Sequence, residues 1–342
     1  MMSRMPSGSP APRAVLLLFA ASVSLGLGCA TRDPAGVEAR VDTEVPEVAP
    51  SETQEGGTAE ALPPIDMTGP IGGTRPAEVK LPDNYEAVEP DAAKRHPLIV
   101  LLHGYGATGV LQDLYLNLSR EANPRGYVVA LPDGTLNASG QRFWNASDAC
   151  CDLAGGAPDD VAYVRDLVRQ IVARYSVDPG RVYLVGHSNG AFLTLRLACE
   201  QTKHFAAVVS LAGATWADAA RCKPELPIGV LTIHGSADPV IAYEGGTIGH
   251  PSAFAAVPYP SAKSTIAMFG DRNGCAREPV KGDPRDLGLT SLGRETTPWQ
   301  YERCKAGGDT EHWPLEGAGH VPTFGAAFVP AMLAFLERHA RR

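Results

Sequence analysis

The chain of 342 residues reads as an α/β protein with a mostly parallel central sheet flanked by helices. Three observations predict this. Residues 97–102 (PLIVLL) are a continuous apolar run, as expected of a strand buried on both faces. Residues 181–185 (RVYLV) are a β-branched and aromatic run that leads through Gly186-His187-Ser188-Asn189-Gly190 into the helical pattern of 191–199. Extended runs and helical periods then alternate along the rest of the chain, which is how parallel βαβ units look in sequence.

Taken in order, 97–102 and 127–131 (YVVAL) are strands. Residues 159–175 are a helix, with Val161, Val164, Val168, Ile171 and Tyr175 on one face. Asp159 and Asp160 at its start and Arg174 at its end suit the helix dipole, so both aspartates read as helix-terminal charges and not as catalytic acids. Strand 181–185, helix 191–199, strand 205–211 and strand 226–234 follow, then a short extended piece at 313–316. A last helix over 324–339 packs its Phe328, Met332 and Phe335 side. All of this fits one domain, residues 76–342.

The chemistry sits at the ends of these runs. Strand, Gly-x-Ser-x-Gly, helix is the context of a nucleophile elbow, in which a sharp turn exposes the serine above a helix N-terminus. Negative charge developing there during acyl transfer is favoured by the dipole and by backbone amides. Such a serine needs a base and an acid. Strand 226–234 opens into Gly235-Ser236-Ala237-Asp238-Pro239, and the piece at 313–316 leads to Gly317-Ala318-Gly319-His320. Asp238 and His320 thus fall on the same sheet edge as Ser188, in the chain order Ser, Asp, His. Upstream, the strand at 97–102 ends in His103-Gly104-Tyr105-Gly106, whose Tyr105 amide would join that of Asn189 as an oxyanion hole. His103, His187 and His234 read as structural hydrogen-bonding residues, not as the base.

Leu102-His103-Gly104-Tyr105-Gly106, Trp144-Asn145 with Cys150-Cys151, Asp159-Asp160-Val161, Gly186-His187-Ser188-Asn189-Gly190, His234-Gly235-Ser236-Ala237-Asp238-Pro239 and Gly319-His320 together resemble the polyhydroxybutyrate depolymerase and feruloyl-esterase group of α/β-hydrolases. The resemblance spans residues 77–340 and implies the α/β-hydrolase fold. It also implies carboxylic-ester hydrolysis through Ser188, Asp238 and His320, with no cofactor and no metal. His187 and Ala191 depart from the group's usual residues, which bears on substrate preference and leaves the three site residues in place.

Residues 1–29 are a targeting segment: Arg4 and Arg13 precede an apolar stretch over 14–27 that is too short to span a bilayer. It ends in Leu25-Gly26-Leu27-Gly28-Cys29, which resembles a bacterial lipobox with Gly26 where leucine is usual. Cys29 is therefore the expected lipidation site, and ordinary secretion with cleavage near Ala30 is the alternative. Residues 30–75, rich in Pro, Glu, Thr and Gly, cannot bury enough apolar surface to fold and read as a disordered tether. The chain has seven cysteines. Beyond Cys29 the number is even, as suits disulfides in an exported protein. The expected pairs are Cys275 with Cys304 and Cys199 with Cys222. Cys150 and Cys151 are a vicinal disulfide, two free thiols or, least favoured, part of a metal site.

A net charge of −8 and the lack of a basic cluster argue against nucleic acid. The expected partner is an ester, possibly polymeric, met by a monomer whose contact with membrane runs through the lipid anchor alone. Aromatic residues at the predicted strand ends, Trp144, Trp216 and Tyr243 beside Tyr105, are expected to line the substrate site for a phenolic or hydroxyalkanoate ester. A transacylase with the same three residues, or a non-catalytic surface-binding lipoprotein, would be the other readings. Cys29→Ser should move the protein from the membrane fraction to the soluble one while ester turnover stays at the wild-type rate. Mass spectrometry of the mature N-terminus checks the anchor directly.

Overall fold

Six parallel strands carry the molecule, and their order follows from which runs are apolar on both faces. The structure, a computed structural model, describes residue 64 and residues 68–86, 95–152, 155–248, 257–289 and 293–341. The targeting segment, Cys29 and most of the tether lie outside the described residues.

In chain order the elements are β1 (Glu78–Lys80), β2 (His96–Leu102), α1 (Gly109–Leu116), α2 (Leu118–Ala122), β3 (Val128–Leu131), β4 (Thr135–Leu136), β5 (Arg142–Phe143), α3 (Asp160–Arg174), β6 (Val177–His187) and α4 (Asn189–Glu200). They continue with β7 (Ala207–Leu211), β8 (Gly229–Gly235), β9 (Gly246–Thr247), β10 (Pro258–Tyr259), α5 (Ala262–Arg272), β11 (Val280–Lys281), β12 (Trp299–Tyr301), β13 (Thr310–Leu315) and α6 (Phe328–Glu337). The main sheet runs β1-β3-β2-β6-β7-β8-β13-β12-β11. Strands from β3 to β13 pair in parallel, and the short edge strands β1, β12 and β11 pair antiparallel.

Along β2 the side chains alternate between two cores. Leu98, Val100 and Leu102 join the core under α3, α4 and α5, while Ile99 and Leu101 join the core under α1, α2 and α6. Burial on both faces is what an unbroken apolar run encodes. The parallel array also brings the carboxyl ends of β2, β6, β8 and β13 to one edge, where the loops bearing residues 103–106, 188, 238 and 320 emerge.

Element boundaries differ from the sequence pattern for local reasons. β8 begins at Gly229 instead of residue 226, since Pro227 has no amide to give the ladder. α6 begins at Phe328 because Phe324 is still extended, bridging to Gly288, and Gly325 donates to the Leu287 carbonyl at 2.8 Å. The two aspartates before α3 divide the work. Asp159 caps the helix by accepting from the Ala162 amide at 2.9 Å. Asp160 is instead buried, ion-paired with Arg75 at 2.6 Å and accepting from the Asn145 amide at 2.7 Å. Burial pushes its carboxyl above the ordinary range, and Arg75 opposes that shift. Arg75 belongs to residues 69–75, which the composition assigned to the tether. They lie on α3, with the Gly72 amide donating to Gln170 at 2.9 Å and Arg174 donating to the Gly69 carbonyl at 2.7 Å.

Three disulfides join Cys150 to Cys151, Cys199 to Cys222 and Cys275 to Cys304. The second ties the end of α4 to the loop before β8, and the third closes 29 residues ahead of β13. Loops of such lengths are worth about 3–4 kcal/mol each in the chain-entropy account.

The tightest point of the fold is where α4 leaves β6. A Cβ on Gly190 would stand 2.2 Å from the Leu102 carbonyl oxygen, and one on Gly186 would stand 2.3 Å from the Gly190 oxygen. Both neighbours are backbone and cannot yield. Gly190→Ala should therefore lower stability by at least the roughly 1–3 kcal/mol typical of overpacked cores. Gly156→Ala, whose Cβ would meet nothing closer than 3.9 Å, serves as the control. Urea unfolding midpoints of the two variants make the comparison.

Candidate active site

Ser188 sits at the apex of the turn between β6 and α4 with φ 53° and ψ −120°, a conformation that non-glycine residues adopt only at a cost of about 1–3 kcal/mol. Its amide is held by the Leu211 carbonyl at 2.9 Å, across to β7. This posture lifts the hydroxyl off the strand and toward the loop after β13. There His320 Nε2 stands 2.9 Å from Ser188 Oγ, and His320 Nδ1 stands 2.8 Å from Asp238 Oδ2. The other carboxylate oxygen of Asp238 accepts from the amides of Val240 and Ile241 at 2.8 and 2.9 Å. Burial alone would raise the Asp238 pKa. Hydrogen bonds from His234, His320 and the Val240 amide outweigh that and hold the carboxyl well below the usual carboxylate range.

The amides expected to stabilise an oxyanion, those of Tyr105 and Asn189, make no hydrogen bond among the described residues. The Asn189 side chain is turned away and clamps the loop after β5. It accepts from the Trp144 amide at 2.7 Å, donates to the Trp144 carbonyl at 2.9 Å, and reaches Cys150 Sγ at 3.5 Å. Ser188 and His320 open onto a cleft of about 340 Å³, lined also by Tyr105, Leu111, Tyr115 and Val321. A larger cavity of about 630 Å³ shares Tyr115 and Val321 but contains neither Ser188 nor His320. The reactive groups, not the size, single out the smaller one. Among the described residues no group of three or more His, Cys, Asp or Glu could hold a metal ion.

The phospholipase/carboxylesterase family model matches residues 83–257, half of the chain. The chain belongs to this family. This carboxylesterase is 30% identical over 258 residues to the protein named "Putative esterase NocK" of Nocardia uniformis subsp. tsuyamanensis, covering 73% of this chain and 72% of that protein. It is 27% identical over 235 residues to feruloyl esterase B of Piromyces equi, covering 67% of this chain but 40% of that protein. Among solved structures, the acetyl xylan esterase from Aspergillus awamori superposes with a TM-score of 0.51 at 15% identity, covering 80% of this chain and 97% of that one, which is a likeness of fold. The enzyme is a carboxylic ester hydrolase on the α/β-hydrolase fold.

The aromatic residues of the carboxylesterase are not where the sequence pattern put them. Trp144 is fully buried, its indole nitrogen donating to the His103 carbonyl at 3.0 Å. Trp216 lies in the core under α4, with the Arg221 guanidinium 5.0 Å from its ring centre. Tyr243 is buried too, its hydroxyl 2.8 Å from His312 Nε2. Of the four, Tyr105 alone is exposed at the cleft.

Two side chains support the His320 loop: His187, which the sequence reads as a structural hydrogen-bonding residue, and Tyr115, which it did not single out. His187 Nε2 donates to the His320 carbonyl at 3.0 Å, and the Tyr115 hydroxyl donates to the Pro322 carbonyl at 2.7 Å. Three other histidines are structural: His103 and His234 at strand ends, and His312 within β13. His103 Nε2 accepts from the Gly134 amide at 2.9 Å, and His234 Nε2 donates to the Ile241 carbonyl at 2.8 Å. His312, which the sequence pattern did not single out, has Thr232 Oγ1 2.8 Å from its Nδ1.

Burial lowers the pKa of His187 to about 4 and that of His312 to about 3, from 6.5. Both are neutral in the fold and free to protonate when unfolded. Their contribution to stability is complete above pH 6.5 and is lost as the pH falls through these values. Each adds up to about 1.4 kcal/mol per pH unit within its window. Melting temperatures measured from pH 7 down to pH 4 should fall steadily, and His312→Gln should flatten the slope.

Proposed function

We propose that this carboxylesterase is an exported serine hydrolase that works through Ser188, His320 and Asp238 and an acyl-enzyme. The observation that carries the reading is the unbroken hydrogen-bonded line from Ser188 Oγ through the imidazole of His320 to Asp238, with both contacts under 3 Å. Ser188 Oγ attacks the ester carbonyl while its proton passes to His320 Nε2. Asp238, held ionised, keeps the Nδ1 proton in place and stabilises the imidazolium that forms. The amides of Tyr105 and Asn189 receive the negative oxygen of the tetrahedral intermediate, in front of the N-terminus of α4. His320 then returns the proton to the leaving alcohol, and a water molecule attacks the acyl-enzyme by the same route in reverse.

Export is supported by the segment before Cys29 and by three disulfides in the folded part. Cys29 is the proposed point of lipid attachment, with the tether holding the catalytic domain off the membrane. For the substrate, the names of relatives favour feruloyl and acetyl esters of polysaccharides: feruloyl esterase B of Piromyces equi, and the bifunctional acetylxylan esterase/xylanase XynS20E of Neocallimastix patriciarum. The apolar cleft suits a phenolic acyl group, and it suits a hydroxyalkanoate ester equally well.

Ser188→Ala should abolish hydrolysis of p-nitrophenyl acetate with little change in melting temperature. Asp238→Asn should lower kcat by about 10³–10⁴, because His320 loses the partner that fixes its tautomer. Steady-state kinetics of the two variants test the assignment, and wild-type turnover in either would overturn it.

A further inference from the structure

The two amides assigned to the oxyanion are each aimed by the other end of their own peptide group. The Gly104–Tyr105 peptide is trans, so its carbonyl and its amide point in opposite directions. His103 Nδ1 donates to the Gly104 carbonyl at 2.7 Å, while His103 Nε2 accepts from the Gly134 amide at 2.9 Å. A neutral imidazole has one donor and one acceptor, and both are engaged here. With the Gly104 carbonyl turned to His103, the Tyr105 amide is turned away from it. The Ser188–Asn189 peptide is held in the same manner. The Ser188 carbonyl accepts from the amides of Ala191 and Phe192 at 2.9 and 3.0 Å, so the Asn189 amide points out of the start of α4. Aim is thus settled within each segment. The distance between the two amides is a separate matter, and an oxyanion needs both donors within about 3 Å of one point.

We propose, on the serine esterase reading above, that Trp144 is the positioning residue that sets this distance. The approach of Gly190 to Leu102 brings the two segments side by side, and Trp144 is hydrogen-bonded to both. Its indole Nε1 donates to the His103 carbonyl at 3.0 Å, and its ring packs against the His103 imidazole with centres 5.0 Å apart. The main chain of the same residue holds Asn189. Its amide donates to Asn189 Oδ1 at 2.7 Å, and its carbonyl accepts from Asn189 Nδ2 at 2.9 Å. One residue therefore grips the first donor segment through its side chain and the second through its backbone.

A brace of this kind works only if its own loop is held. The Asn145 amide donates to Asp160 Oδ2 at 2.7 Å, and Asn145 Nδ2 donates to the Pro158 carbonyl at 3.0 Å. Arg196 donates to the Asn145 carbonyl at 3.2 Å, so the loop is tied to the start of α3 and to the side of α4. Behind the clamp, Asn189 Nδ2 stands 3.5 Å from Sγ of Cys150, which is bonded to Cys151. Trp144 is fully buried and does not line the cleft, so it touches no substrate. Its effect falls on the transition state. A neutral ester carbonyl gains little from two well-placed donors, whereas the anionic oxygen gains much. Loosening the brace therefore lowers kcat and spares KM.

Trp144→Phe keeps a buried ring and removes the Nε1 donor. Its kcat for p-nitrophenyl acetate, per active site titrated with diethyl p-nitrophenyl phosphate, should fall ~10- to 100-fold, with KM within about twofold. Phenylboronic acid, whose boron takes the Ser188 oxygen and becomes a tetrahedral anion, should lose affinity by a similar factor. Ile171→Val thins the same core near the far end of α3, and should lower the melting temperature with kcat and boronate affinity at wild-type values. Asn189→Ala opens the other grip with the indole intact, and it carries the test if Trp144→Phe does not fold. Its kcat and boronate affinity should fall together, and the double variant should lose less than the product of the single losses. Unchanged kcat and boronate affinity in the single variants would overturn the proposal. So would a loss confined to KM, or a fall in kcat that boronate affinity does not follow. Wild-type turnover in Ser188→Ala would overturn the serine esterase reading and this inference with it, whereas an inactive Ser188→Ala beside an unchanged Trp144→Phe overturns the inference alone.

Discussion

The near-contact of Gly190 with the Leu102 carbonyl governs the placement of everything at the carboxyl edge of the sheet. Because neither Gly186 nor Gly190 has a side chain, α4 can start directly against β2 and β6. Ser188 is then forced into positive φ, and its hydroxyl can only rise toward the loop of His320. The same approach sets the Asn189 amide near the Tyr105 segment, since both flank the end of β2. A single steric allowance thus fixes the proposed nucleophile, its hydrogen-bond partner and the two candidate oxyanion donors relative to one another.

Around this point the protein has replaced water with fixed hydrogen bonds. Four histidines (His103, His187 and His234 at strand ends, His312 within β13) are buried, and each is tied to a backbone or side-chain oxygen or nitrogen. His320 is different in kind: it meets both a hydroxyl and a carboxylate, and its ring borders the cleft. Burial keeps His187 and His312 neutral, and a neutral imidazole makes a rigid strut because it supplies one donor and one acceptor without bringing a charge into the interior.

The sheet and the strand-end positions of residues 188, 238 and 320 were legible in the sequence because their signals are local. Apolar runs, a Gly-flanked serine and small-residue loops each announce themselves within a few residues. The fates of Trp144 and Tyr243 depend on distant partners: Trp144 is locked by Asn189, 45 residues away, and Tyr243 by His312, 69 residues away. No window around those aromatics contains that information. Helix α1 escaped detection for a related reason. Val110, Leu111 and Leu114 face solvent, while Gln112 and Asp113 turn inward beside Leu116 to meet Gly104, Lys80 and Ser119, so the periodicity that marks an ordinary surface helix is broken.

The edges of the sheet bear on how such a protein behaves when crowded. β1 and β11 have only three and two residues. β1 lies between Pro76 and Pro82 and carries Glu78 and Lys80, while β11 follows Pro279 and ends in Lys281. Prolines withhold amides, and charges resist being stacked in register, so neither edge makes a template for a second sheet. A molecule that shows an apolar helix to its surroundings would otherwise risk fibre growth at high local concentration. Here neighbouring molecules that meet through that helix can part again without knitting their backbones together, because neither sheet edge offers a template.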